Sequence, residues 1–218
     1  MGKIYQGILG GVSKRVGSVV GSSWKGIPVV RSYQPNVANP RTAKQIANRT
    51  FFKSLAVIGS DVLSEVIKPL WDRGAIRQSG YNAFIQANKD AKNDDGTLDL
   101  EKLIISKGKM NETSIGGASL GNNELELDWS VVLQGRYQQS GDKAYVVVVD
   151  GISGRAYAPT GGEVTREEGG WKIDLPSFLI SDDGDAPVYV YLSFIRDDGS
   201  VIGNSYVTKL IANPIPQG

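Results

Sequence analysis

Two residue types are missing from this chain of 218 residues: it has no cysteine and no histidine. Without cysteine there can be no disulfide, no thiolate nucleophile and no thiolate metal ligand. Without histidine there is no imidazole base and no zinc site of the usual nitrogen and sulfur kind. Most hydrolase, protease and transferase mechanisms go with them. The composition therefore reads as a protein that is not an enzyme, with no catalytic residues, no cofactor and no metal. The missing thiols suit either redox compartment. Residues 1–7 lack the long apolar run of a signal peptide, and no stretch approaches a membrane span. The expectation is a chain made and kept soluble, with no membrane partner.

Phosphate-binding loops are missing too. Among 27 glycines there is no Gly-x-Gly, so the dinucleotide fingerprint is absent. Gly21 and Gly26 have the outer spacing of a P-loop, but Ile27 stands where lysine is required. The clusters Asp94-Asp95-Gly96, Asp182-Asp183-Gly184-Asp185 and Asp197-Asp198-Gly199 lack the twelve-residue ligand pattern of a calcium loop and read as turns. Glu124 and Glu126, candidates for a paired-carboxylate sugar hydrolase, alternate with leucines and read as the solvated face of a strand.

Acidic residues are absent before Asp61. Residues 1–92 hold 14 Lys and Arg against 4 Asp and Glu, a net of +10. Residues 93–218 hold 10 against 19, a net of −9, which leaves +1 for the whole chain. Such a divide points to a two-part molecule whose basic part meets something anionic.

The parts also differ in pattern. Residues 1–38 read as an extended basic arm, with β-prone runs at 16–24 and 27–33 joined by Lys25-Gly26 as a hairpin. So glycine-rich a segment buries little apolar surface alone and needs a partner to order it. Residues 39–96 read as helical. Asn39-Pro40 offers a cap and first turn, and Ile46, Phe51 (or Phe52), Leu55 and Ile58 trace an apolar stripe ended by Gly59-Ser60. A second short helix covers 61–71, stressed by Pro69, and a third starts after Ser79.

Beyond residue 96 the pattern turns to strands: 100–106, alternation at 125–129 and 171–175, an apolar run at 144–149, and a hairpin of 188–195 with 201–211 through Arg196-Asp197-Asp198-Gly199. The fold class is α+β: an arm, short helices, and an immunoglobulin-like or fibronectin type III-like sandwich over 97–218.

Chemistry concentrates in the arm. Trp24, Lys25, Arg31, Arg41, Lys44, Arg49 and Lys53 are the candidate assembly interface. They can dock on an acidic protein surface, including the acidic half of a neighbouring copy. They can contact nucleic acid without reading sequence, with Trp24 and Tyr33 stacking on bases. Or they are a solvated surface.

The residues Val19-Val20-Gly21-Ser22-Ser23-Trp24-Lys25-Gly26-Ile27, Asn39-Pro40-Arg41-Thr42-Ala43-Lys44-Gln45 and Ser79-Gly80-Tyr81-Asn82-Ala83-Phe84 resemble phage virion proteins. With residues 100–108 and 188–199, nearly the whole chain is similar to an uncharacterised family of Bacteroidota bacteria and their tailed, including crAss-like, phages. The resemblance implies a virion structural protein (neck or tail ring, or capsid-auxiliary) made in the host cytoplasm, whose partners are copies of itself and other virion proteins. It brings no catalytic or binding residues with it.

Overall fold

The computed structural model describes residues 13–38, 40–93, 95–121, 123–179 and 186–211, with the backbone of Gly2 and Lys3. Asn39, Asp94, the acidic cluster 182–185 and both ends of the chain lie outside them. The chain divides into two compact units, residues 1–45 and 46–218.

The first unit is an antiparallel sheet in the order β1-β4-β3-β2, formed by β1 (Gly2–Lys3), β2 (Lys14–Val16), β3 (Val19–Trp24) and β4 (Ile27–Ser32). The expected Lys25-Gly26 hairpin is present. Both residues have positive φ, 46° and 78°, which gives the strand twist that two-residue hairpins favour.

The chain passes from the first unit into the second within α1 (Ala43–Asp61). Its start differs from the expected Asn39-Pro40 opening. Thr42 accepts from the Gln45 amide while the Gln45 side chain accepts from the Thr42 amide, a reciprocal cap three residues further on. The buried stripe is Phe51, Leu55, Ile58 and Val62, whereas Ile46 is half exposed. Gly59 does not end the helix. A Cβ there would lie 3.0 Å from the Tyr81 ring and 3.1 Å from Phe84, so glycine admits the aromatic face of α3 (Gly80–Ala87). A π-turn at Leu63–Ile67, in which the Ile67 amide reaches back to Val62, then leads into α2 (Lys68–Trp71). Pro69 sits in the first turn of α2, where a proline costs little. Ser79 caps α3 by accepting from the Asn82 amide, as expected.

The β-region forms two sheets. One has the order β11-β10-β7-β8, from β7 (Lys143–Asp150), β8 (Ala156–Tyr157), β10 (Pro187–Ile195) and β11 (Tyr206–Ile211). The other has the order β5-β6-β9, from β5 (Ile115–Gly121), β6 (Glu124–Trp129) and β9 (Gly170–Asp174). Ala144, Val146, Val148, Val190, Leu192 and Phe194 point from the four-stranded sheet to Leu125, Leu127 and Ile173 of the three-stranded one. The alternate residues Val147, Val149, Tyr191 and Ile195 face Leu55, Val66, Trp71 and Phe84. A sheet buried on both faces explains the unbroken apolar run at 144–149. The helical and β-regions expected to meet near residue 96 therefore share one core.

The β-prone segment 100–106 is no strand. It is a short 3₁₀ turn at Leu100–Lys102 followed by buried extended chain. Beyond its own turn, most of its backbone bonds go to side chains: the Trp71 indole donates to the Ile105 carbonyl at 2.7 Å, and the Ile105 amide donates to Ser205 Oγ at 3.1 Å, while the Ser106 carbonyl accepts from the Ser205 amide at 3.2 Å.

Candidate assembly interface

No apolar side chain before Phe51 is buried among the described residues. A sheet needs an apolar face covered to stand alone; among the described residues of the N-terminal sheet, Val20, Ile27, Val29 and Val30 are only half-buried, and Val16, Val19 and Trp24 are exposed. Cross-strand pairing sets which side chains share a face. Val20 lies between Arg31 and Arg15, Ser22 opposite Val29, and Trp24 opposite Ile27. That face is cationic at one end and apolar at the other. The Arg15 guanidinium lies 3.6 Å over the Tyr33 ring, and its Nε donates to the Gly17 carbonyl, which fixes one cation in place. Trp24, 47% exposed, stands beside Lys25, whose ammonium is 5.8 Å from the indole.

Every one of the seven candidate residues is exposed, but they do not form one patch. Trp24, Lys25 and Arg31 belong to the sheet. Arg41 precedes α1, and Lys44, Arg49 and Lys53 lie on it. Arg49 and Lys53 are four residues apart and share a side of the helix. Lys44 falls on the line of Phe51, Leu55 and Ile58, on the turns before that stripe is buried.

The acidic counterpart is concentrated on one surface. Glu124, Glu126 and Asp128 alternate outward along β6, and Asp174 stands opposite Glu124 on β9. Lys172 is the one cation on these two outward rows, 3.1 Å from Glu126 and 3.8 Å from Glu124. Those carboxylates raise the pKa of its ammonium. Other acids are engaged elsewhere: Asp99 with Lys102, Asp197 with Lys143, Asp61 with Arg155.

Sequence reasoning did not find the buried pair Arg166–Asp142, at 3.3 Å and 1% and 0% exposed. Arg166 also donates to Thr113 and lies 3.9 Å from the Phe194 ring centroid. It stands in an Arg-Glu-Glu run that looks solvated, and only the fold brings Asp142 to it.

The turn reading of the described acidic clusters agrees with their geometry. Asp198 accepts from the Ser200 amide at 2.7 Å and Asp95 from the Thr97 amide at 2.8 Å, each beside a positive-φ glycine. Among the described residues no acidic group is arranged to hold a metal, and no helix is long and apolar enough to cross a membrane.

A family described as a family of unknown function (DUF6266) matches residues 11–208, and the chain belongs to it. No curated protein matches. Among solved structures, the crystal structure of chicken CNTN1 FN1-FN3 domains aligns at 12% identity and a TM-score of 0.34. The alignment covers 50% of this chain and 33% of that one.

Proposed function

We propose that this member of an uncharacterised family is a non-catalytic structural component of a phage particle, a neck or tail ring or capsid-auxiliary protein, built in many copies through its N-terminal sheet. One observation carries the reading: four strands pair correctly yet bury no apolar side chain among the described residues. Surface of that kind is completed by a partner. The C-terminal half would be an immunoglobulin-like or fibronectin type III-like sandwich that braces or decorates the particle. The three-plus-four antiparallel arrangement, with its central strands paired β6 to β9 and β7 to β10, supports that finer description.

Sedimentation of the full chain beside a chain lacking residues 1–38 tests the assembly role. Self-association should disappear with the arm, and hydrogen exchange on the monomer should find that segment unprotected. Equal association by both chains, or strong protection in a monomer, would remove the proposal. Incorporation into a purified particle tests the phage setting separately.

A second reading, sequence-neutral nucleic-acid binding, is favoured by the aromatic and cationic residues that share one sheet face, Trp24 and Tyr33 with Arg15 and Arg31. Such a face suits a single strand. A steep fall of DNA affinity with salt would support it, and flat, weak binding would exclude it.

A further inference from the structure

We infer that the outer face of the β5-β6-β9 sheet is the seat for the N-terminal sheet of a second copy, and that the cleft beside Asp128 takes the Arg31 guanidinium. The inference rests on the assembly reading and names its acceptor.

Both faces of the four-stranded sheet are covered, by the helices and by the sandwich partner, and the inner face of the three-stranded sheet is covered as well. Its outer face is left to solvent along the outward row of β6. That face carries Glu124, Glu126, Asp128 and Asp174 against Lys172, a net of −3. The outward row of β5 is Gly117, Ser119 and Gly121, opposite Asp128, Glu126 and Glu124. No long side chain there holds an approaching sheet away from the carboxylates. A cleft of about 370 Å³ opens in the same face, lined by Glu126, Asp128, Glu168, Gly170 and Lys172. A Cβ on Gly170 would fall 2.9 Å from Asp128 Oδ1, so the glycine keeps the carboxylate reachable.

The cationic sheet face complements this surface. Arg31 and Arg15 flank Val20 on one cross-strand row. Arg15 is already stacked on Tyr33, which leaves Arg31, among the described side chains, as a cation that shares its face with Trp24 and Ile27 and can enter a cleft. A planar guanidinium can address Asp128 with two parallel N–H groups while Lys172 stays with Glu124 and Glu126. The small apolar end of the sheet would lie over the Gly-Ser-Gly row.

The test is sedimentation velocity on full-length chains at low salt: wild type, a chain lacking residues 1–38, R31E, E126K/D128K, and the swap R31D/D128R. The expected result is a tenfold or greater loss of self-association in R31E and in E126K/D128K, with unchanged circular dichroism, and partial recovery in the swap, on the order of close charge pairs at interfaces. If arm deletion abolishes association and E126K/D128K associates like wild type, the acceptor face is wrong and the assembly reading stands. If arm deletion changes nothing, both fall. If E126K/D128K makes the arm protease-sensitive without changing the mass, the arm sits on its own body and the inference is overturned.

Discussion

Asn88 holds Ile104 from both sides. The Ile104 amide donates to Asn88 Oδ1 at 2.6 Å, and Asn88 Nδ2 donates to the Ile104 carbonyl at 2.8 Å and to the Phe84 carbonyl at 3.0 Å. The side chain, 1% exposed, thus replaces a neighbouring strand and ties the end of α3 to the segment that leads into the sandwich. Asn88→Ala strands a partly buried amide and carbonyl and should cost about 2–4 kcal/mol. Asn88→Asp turns a donor toward two carbonyls into an acceptor and should cost at least as much. Urea melts read both values. A loss below about 1 kcal/mol for the alanine would mean that the segment finds its bonds elsewhere.

Arg166 and Asp142 should behave as a unit. Asp142 Oδ2 accepts from Arg166 and from the Gln139 amide, while Oδ1 has no hydrogen-bond partner among the described residues. Arg166→Met leaves a buried carboxylate without its cation and should destabilise by roughly 3–5 kcal/mol. Adding Asp142→Leu should recover part of that loss, because an apolar pair replaces a stranded charge. A double variant weaker than the single one would contradict this.

The strands were legible because period-two alternation survives wherever one face is wet, as in Glu124–Trp129. The sandwich and the Ser79 cap could be read for the same local reasons. What escaped depended on distant partners. Residues 100–106 are β-prone, but their hydrogen bonds go mainly to the side chains of Asn88, Trp71, Ser193 and Ser205 instead of to the backbone ladder of a neighbouring strand. Gly59 looked like a stop because the rings that need its missing Cβ lie more than twenty residues away. The candidate interface was half visible: charge marked the basic half, while its division between a sheet and a helix required pairing and burial.

The shared core makes a prediction about truncation. A chain of residues 43–218 keeps every buried residue of both clusters and should melt in one cooperative step. Residues 107–213 alone would expose Val147, Val149, Tyr191 and Ile195, and should aggregate or bind hydrophobic dyes. A soluble, cooperative β-type melt from the shorter piece would show that the helices are dispensable.

Acid should act through three surface carboxylates. Asp95, Asp99 and Asp198 are held below the ordinary carboxylate value: Asp95 by the Thr97 amide and hydroxyl, Asp99 by Lys102, and Asp198 by the Ser200 hydroxyl and amide. A depressed folded pKa gives stability that is present above the unfolded value, about 4, and lost as pH falls through the folded one. Lys143 and Lys172 are raised by Asp197 and by Glu126 and Glu124, so their contribution is full below about 10 and lost as pH rises through the folded values. Melting temperature should be level between those limits and fall outside them. Asp198→Asn should shallow the acid limb and leave the alkaline one alone; a change in both limbs would contradict the assignment.

Charge on α1 should matter less to assembly than charge on the sheet. Arg41, Lys44, Arg49 and Lys53 lie on the helix or its approach, whereas Arg15 and Arg31 share a face with Trp24 and Ile27. The second group stands on the same sheet face as the apolar residues Trp24, Val29 and Ile27. Cations at a rim govern the rate of encounter and its salt dependence, each worth about 0.2–1 kcal/mol. Cations desolvated beside apolar contacts govern how long a complex lasts, and salt screens them less. Reversing the four helix residues to glutamate should therefore slow association and flatten its salt dependence, with dissociation nearly unchanged. Reversing Arg15 and Arg31 should speed dissociation at any salt. Stopped-flow association and dilution-driven dissociation of the full chain separate the two. Should the helix reversal alone abolish the complex, the interface lies on α1, and the sheet owes its exposure to something else.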